Sequence, residues 1–383
     1  MSVTFAQGFR ASGVTAGLKA SGRPDLAVVI NEGPRFDAAG VFTTNRIQAA
    51  PVIWSRQVLT DGQLRAVVLN SGGANACTGP EGFADTHHTA EAAAADLRIG
   101  PIDVAVCSTG LIGERLPMDK LLAGLKYAIS TATANGGNDA AQAIMTTDTV
   151  PKTAVAESPA GYRIGGMAKG AGMLAPGMAT MLCVITTDAV VDAATLDAAL
   201  RAATAATIDR VDSDGCMSTN DTVILMASGA SGKPADDGFA GHVLQVCASL
   251  ARQLAADAEG ASKLIDVRVL NAASEDDAVT VGRAVARSAL FKCAMFGKDP
   301  NWGRVLSAVG TTDAAFDPLH IDVSINGVQV CRDSGVGDSR DLVDLEPREV
   351  TVEIDLHAGD AQATITTTDL THDYVHENSA YST

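Results

Sequence analysis

A chain of 383 residues with 28 basic and 45 acidic side chains carries a formal net charge of −17 and has an isoelectric point near 4.7. That balance argues against a nucleic-acid binder or a peripheral membrane protein, both of which set basic patches against phosphates. Hydrophobic residues at 46% and charged residues at 19% describe a globular chain of two or three domains, and 4% aromatics leave its core to small and aliphatic side chains.

The first ten residues lack the basic and apolar regions of a signal peptide, and no apolar run approaches the roughly 18 residues of a membrane helix. Seven scattered cysteines, at 77, 107, 183, 216, 247, 293 and 331, contain no Cys-x-x-Cys pair, so zinc-ribbon and thioredoxin-type chemistry find no support. The expectation is a cytoplasmic protein with reduced thiols. Apolar runs at 26–30, 65–69, 102–106, 181–186, 222–226 and 264–270 predict buried strands. Helical lengths fall at 83–97, at 118–130 behind Pro117, and at 193–207, 237–257 and 275–295. Residues 319–368 return to Val/Ile/Thr alternation and read as a β-rich C-terminal lobe, about 310–383. Strands alternating with helices argue for a layered α+β fold. Seams fall near 158–161, 231–238 and 332–348, and none reads as a long flexible linker.

Four segments could carry chemistry. The first runs from Gly165 to Thr180 and on into the strand at 181–186, with Lys169 and Pro176 among its glycines. A glycine-lined loop ending in a hydroxyl residue at a strand start suits a nucleophile as well as it suits a plain turn. Gly170-Ala-Gly172-Met-Leu-Ala175 fits a dinucleotide fingerprint, but a strand follows where a helix is required; Lys169-Gly170 likewise fails as a P-loop. The second segment, Cys107-Ser108-Thr109-Gly110, ends a strand and supplies a hydroxyl and a backbone N–H, the raw material of an oxyanion hole. The third, Phe296 to Arg304, mixes turn formers with charge. The fourth, Asp212 to Asp221, imitates part of a calcium loop without its first and twelfth ligands. His372 and His376 are spaced as helical metal ligands, but Tyr374 and Val375 disfavour a helix there, so they read as exposed histidines near the end of the sequence.

Lys169-Gly-Ala-Gly-Met-Leu-Ala-Pro-Gly-Met-Ala179-Thr180-Met-Leu closely resembles the ornithine acetyltransferase (glutamate N-acetyltransferase) family of arginine biosynthesis. The resemblance extends over nearly the whole chain. It includes Gly40-Val-Phe-Thr-Thr-Asn45, Asn70 to Gly79, Ser108-Thr-Gly110, Ile144-Met-Thr-Thr-Asp-Thr149, Ser218-Thr-Asn-Asp221 and Asp299-Pro-Asn-Trp-Gly-Arg304, all in order. Gly73 departs from the family's usual Asn-Ala-Asn.

The resemblance implies the layered α/β sandwich of that family and of the DmpA-type N-terminal-nucleophile enzymes. It also implies self-cleavage between Ala179 and Thr180, giving an α chain of residues 1–179 and a β chain of residues 180–383 in a two-plus-two heterotetramer. Thr180 would be the nucleophile of a ping-pong acetyl transfer from N-acetylornithine to glutamate, releasing ornithine. Its own α-amine, with a reference pKa of about 7.7–8.0, would serve as general base. Thr109 and Gly110 match the oxyanion-hole pair. Thr146, Lys169, Thr180, Glu259, Asn378 and Thr383 match substrate contacts, with Lys169 the cation for a carboxylate and Glu259 the partner of an amine. No metal or cofactor is implied; acetyl-CoA is a candidate second acetyl donor. The rival readings are a self-cleaving aminopeptidase or amidase of the same nucleophile class, and a non-catalytic binding module in which 165–180 is only a turn.

Overall fold

The computed structural model describes residues 2–174 and 181–380. The opening part of the chain runs β1 (Phe9–Val14), β2 (Leu26–Asn31), β3 (Ala38–Phe42), α1 (Ala50–Val58), β4 (Ala66–Ser71), α2 (Gly79–Leu97), β5 (Val104–Thr109), α3 (Met118–Thr131) and α4 (Gly137–Ala143). Four of these strands form a sheet in the order β1-β2-β4-β5, with β4 and β5 parallel. β2, β4 and β5 are buried at every position, and their unbroken apolar runs are what strands covered on both faces require.

The middle part runs β6 (Lys152–Glu157), β7 (Arg163–Lys169), β8 (Leu182–Thr187), α5 (Ala193–Ala206), β9 (Thr222–Ala227) and α6 (Phe239–Ala256). Together with β3 it makes a five-stranded sheet, β3-β9-β8-β7-β6. Met167, Val184, Ile224 and Met226 on one face of this sheet share a core with Val28, Val68 and Val106 of the first. Ile164, Ile185 and Leu225 on the other face pack on Leu200 of α5 and on Val246 and Leu250 of α6. The result is a helix–sheet–sheet–helix sandwich, with Leu125 of α3 and Ala90 and Ala93 of α2 on the outer face of the first sheet. The expected layered α+β fold is the one observed.

The last part runs β10 (Leu264–Ala272), α7 (Glu275–Ala286), α8 (Ala289–Phe296), α9 (Trp302–Val309), β11 (Asp322–Ile325), β12 (Val328–Arg332), β13 (Gly335–Val336), β14 (Glu349–Asp355), β15 (Ala361–Thr368) and α10 (His372–Ala380). Its sheet, β13-β12-β11-β14-β10-β15, has a core of its own. β10 lies inside this sheet, parallel to β14, so the sheet draws on chain well before the Val/Ile/Thr-rich stretch.

Three sequence expectations need correction. Residues 275–295 form two helices, because Ser288 starts α8 by accepting the Phe291 N–H at 3.3 Å. Residues 163–169 are strand rather than loop. Gly165 is small there because a Cβ would lie 2.2 Å from the Ser2 carbonyl oxygen. The segment around Tyr374 is helical: the Thr371 hydroxyl accepts the Tyr374 N–H at 2.9 Å, and this cap outweighs the low helix preference of Tyr374 and Val375.

Candidate active site

The two stacked sheets bring several strand ends to one edge. β5 stops at Thr109, β7 stops at Lys169, and Lys169 pairs with Leu182 at the start of β8, which pairs in turn with Thr222 of β9. A cavity of about 890 Å³ lies at this edge. Thr109, Gly110, Thr146, Lys169, Glu259 and Asn378 all line it, with Thr147 and Thr149 beside Thr146. Ala179, Thr180 and Thr383 lie outside the described residues. Met181, the residue after Thr180, gives its N–H to Asp221 Oδ1 at 2.9 Å and receives the Thr222 N–H on its carbonyl.

The inner wall is built by backbone geometry. The Thr109 carbonyl accepts the N–H groups of Gly72 and Gly73 at 2.9 and 3.0 Å. A trans peptide holds C=O and N–H on opposite sides, so the Gly110 N–H is aimed away from that turn. Gly110 has φ +132°, and a Cβ there would lie 2.5 Å from Gly73 N, so only glycine fits. Beneath this corner Ser108 Oγ donates to Asn70 Oδ1 at 2.6 Å, and Asn220 Nδ2 donates to the Ser108 carbonyl at 2.8 Å. Lys169, 1% exposed, extends to Thr109 Oγ1 at 3.3 Å. Accepting from the ammonium leaves the Thr109 hydroxyl proton available for a second acceptor.

The electrostatics of this wall are those of buried, paired charge. Burial pushes the Lys169 ammonium below its ordinary range, and Asp148 is the strongest of the groups opposing that push. Burial would raise the Asp148 carboxyl, but Lys169, Lys152 and the Gly170 N–H outweigh it and bring it down to about 2. Burial pushes the Asp221 carboxyl well above its ordinary range.

The outer wall is looser. Glu259 follows α6, and its N–H is held by the Ala171 carbonyl at 2.8 Å. A Cβ on Gly172 would lie 2.5–2.7 Å from the Glu259 carboxylate, so Gly172 makes room for it. Asn378 of α10 donates to Glu259 Oε2 at 3.1 Å, across 119 positions of sequence. Asp373, His376 and Glu377 of α10 line the same side.

The structure also sorts the remaining candidate segments. Residues 296–304 run from the last residue of α8 into the first turn of α9, which Asn301 caps by accepting the Arg304 N–H at 3.2 Å; they do not line the cavity. Asp212 is ion-paired to Arg287 at 2.7 Å. His376 lines the cavity, while His372 packs edge-on against Phe296. The sequence alone assigns no role to Asn70, Asp148, Lys152, Asn220, Asp221 or Asp257. Burial reveals Asn70, Asp148, Lys152, Asn220 and Asp221, and Asp257 is revealed by its place on the cavity wall.

Residues 10–383 match the model of the ArgJ family. The chain is 65% identical, over 100% of both sequences, to the arginine biosynthesis bifunctional protein ArgJ of Streptomyces coelicolor, and 64% identical, again over 100% of both, to that of Thermobifida fusca. Among solved structures, ornithine acetyltransferase of Mycobacterium tuberculosis, complexed with ornithine, is 63% identical over 46% of this chain and 94% of its own, with a TM-score of 0.45. The chain belongs to the ArgJ family.

Proposed function

We propose that this chain is a self-cleaving acetyltransferase of arginine biosynthesis that moves an acetyl group from N-acetylornithine to glutamate through an acetyl-Thr180 intermediate. The observation that carries the proposal is the convergence of Thr109, Gly110, Thr146, Lys169, Glu259 and Asn378 on one cavity from five separate stretches of sequence. Family membership, with full-length relatives named for arginine biosynthesis, supports it.

In maturation, Thr180 Oγ attacks the Ala179 carbonyl carbon, the Ala179–Thr180 C–N bond breaks and an ester forms. Water then hydrolyses the ester, leaving residues 1–179 with a new carboxylate and residues 180–383 with a free amine. In turnover, Thr180 Oγ attacks the acetyl carbonyl of N-acetylornithine while the α-amine accepts the hydroxyl proton. The tetrahedral oxyanion is received by the Thr109 hydroxyl and the Gly110 N–H. Collapse breaks the acetyl C–N bond, and ornithine leaves with the proton. The amine of glutamate then attacks the acetyl-threonine ester and regenerates Thr180. Lys169 takes a substrate carboxylate, Thr146 and Thr383 help to orient it, and Glu259 with Asn378 receives the amine-bearing end.

The same reading includes a two-plus-two assembly in the cytoplasm, no cofactor, and acetyl-CoA as a second acetyl donor for glutamate. Denaturing electrophoresis and an acetyl-transfer assay test the core of it. Wild type should run as two fragments and form N-acetylglutamate, and Thr180→Ala should run as one inactive chain. An active uncut chain contradicts the mechanism, and hydrolysis of N-acetylornithine without transfer to glutamate would point to an amidase instead.

A further inference from the structure

Three stretches of the cavity wall, far apart in sequence, meet on one buried group of charges. Asp148 Oδ1 accepts from Lys152 Nζ at 2.7 Å and from the Gly170 N–H at 2.6 Å, and its Oδ2 accepts the Thr146 N–H at 2.9 Å. Lys152 Nζ also reaches Asp257 at 2.6 Å. Asp257, two residues before Glu259, accepts both the N–H and the hydroxyl of Thr149. The side chains of Asp148 and Lys152 are 0% exposed and neither lines the cavity, whereas Asp257, its side chain 9% exposed, lies on the wall itself. Stability alone is a weak reason to keep such a group, since desolvation offsets most of the attraction in a buried ion pair. Its position, behind the segments that carry Thr146, Lys169 and Glu259, supplies a better one.

We propose that Asp148, Lys152 and Asp257 are positioning residues for acetyl transfer, holding these three wall segments at one spacing and setting the charge state of Lys169. The proposal rests on the reading of Lys169 as the cation that takes a substrate carboxylate. The charged groups acting on Lys169 come from every side: Asp148, Asp221 and Glu259 favour its ammonium, while Lys152 and Lys19 oppose it. Two substitutions in the same network should therefore act with opposite signs. Asp148→Asn removes the strongest opponent of desolvation, so Lys169 loses its proton at lower pH. Lys152→Met removes a repelling cation, so Lys169 keeps its proton to higher pH. A merely structural role would shift both variants the same way, or neither.

The experiment follows KM for N-acetylornithine against pH in the purified, self-cleaved enzyme. In wild type KM rises as Lys169 deprotonates. That rise should move about one pH unit lower in Asp148→Asn and to higher pH in Lys152→Met, with both variants still cut into two fragments. Coincident profiles, or shifts of one sign, overturn the proposal. NMR of protein labelled at lysine Cε, assigned with Lys169→Met, reads the same titration without any turnover. An enzyme that fails to transfer acetyl groups would thus defeat the functional reading and leave the network judged by its own signal. Should Lys152→Met fail to fold, Lys152→Met/Asp257→Asn removes the orphaned carboxylate and is read in the same way.

Discussion

The two walls of the cavity are built differently. The inner wall consists of the ends of β5 and β7, where Thr109 and Lys169 are 1% exposed and the neighbouring Asp148, Lys152 and Asp221 are buried. The outer wall consists of the turn after α6 and of α10, a helix with no buried residue. On the proposed mechanism, Thr109 and Gly110, the groups that would meet a developing oxyanion, are thus placed where packing leaves no freedom. Glu259 and Asn378, which on the proposed mechanism receive the amine-bearing end of the substrate, sit at the rim. The contrast also has an electrical side: residues 1–179 carry 14 acidic and 14 basic side chains, which leaves the whole −17 to residues 180–383. Lys169 supplies its cation from the neutral half.

Gly110 is the most sensitive point of the tightly packed inner wall. Gly110→Ala forces a side chain into a φ of +132° and against Gly73 N, so it should cost about 3 kcal/mol of stability and at least ~100-fold in kcat/KM. Thermal melting and steady-state kinetics read both, and a well-folded, fully active variant would show that the corner is not tightly packed.

The next test sets the walls against each other. Thr109→Val should lower kcat by about 10²–10³-fold, the usual loss of one oxyanion donor, with little change in KM. Glu259→Gln should instead raise KM by about 10-fold and leave kcat within a few-fold. Equal effects on kcat from both would erase the distinction between the walls.

The smallest expected effect sharpens the electrical side. The folded state holds Asp148 at about 2 against an ordinary 3.8. A depressed carboxylate stabilises above its unfolded pKa and loses that contribution as pH falls through the folded value. About 2 kcal/mol should therefore vanish between roughly pH 4 and pH 2, and Asp148→Asn should flatten that part of the acid limb. Urea midpoints against pH measure it. An unchanged limb would mean that Asp148 is not held as a charged group.

Much of this site could be read from the chain because its signals are local. A strand end followed by glycine marked Thr109 and Gly110, and continuous apolar runs marked β2, β4, β5, β8 and β9. What escaped was non-local or contextual. β6 alternates small and polar residues as an edge strand, and no run of Val or Leu announces it. The helix α10 depends on a cap from Thr371, and the β7 glycines are spaced for close packing, not for a loop. Thr146 entered only through the family resemblance, while Asp148, two residues on, gained meaning only when folding set it against Lys152, Gly170 and, through Lys152, Asp257.

The most direct test of the central claim is the mass of the 180–383 fragment after the enzyme has been mixed with N-acetylornithine and quenched in acid. A species one acetyl group heavier, with the modification on Thr180, should form, disappear when glutamate is added and leave N-acetylglutamate behind. Transfer that proceeds at full rate with no acetylated fragment, or with the acetyl group on another residue, would contradict it.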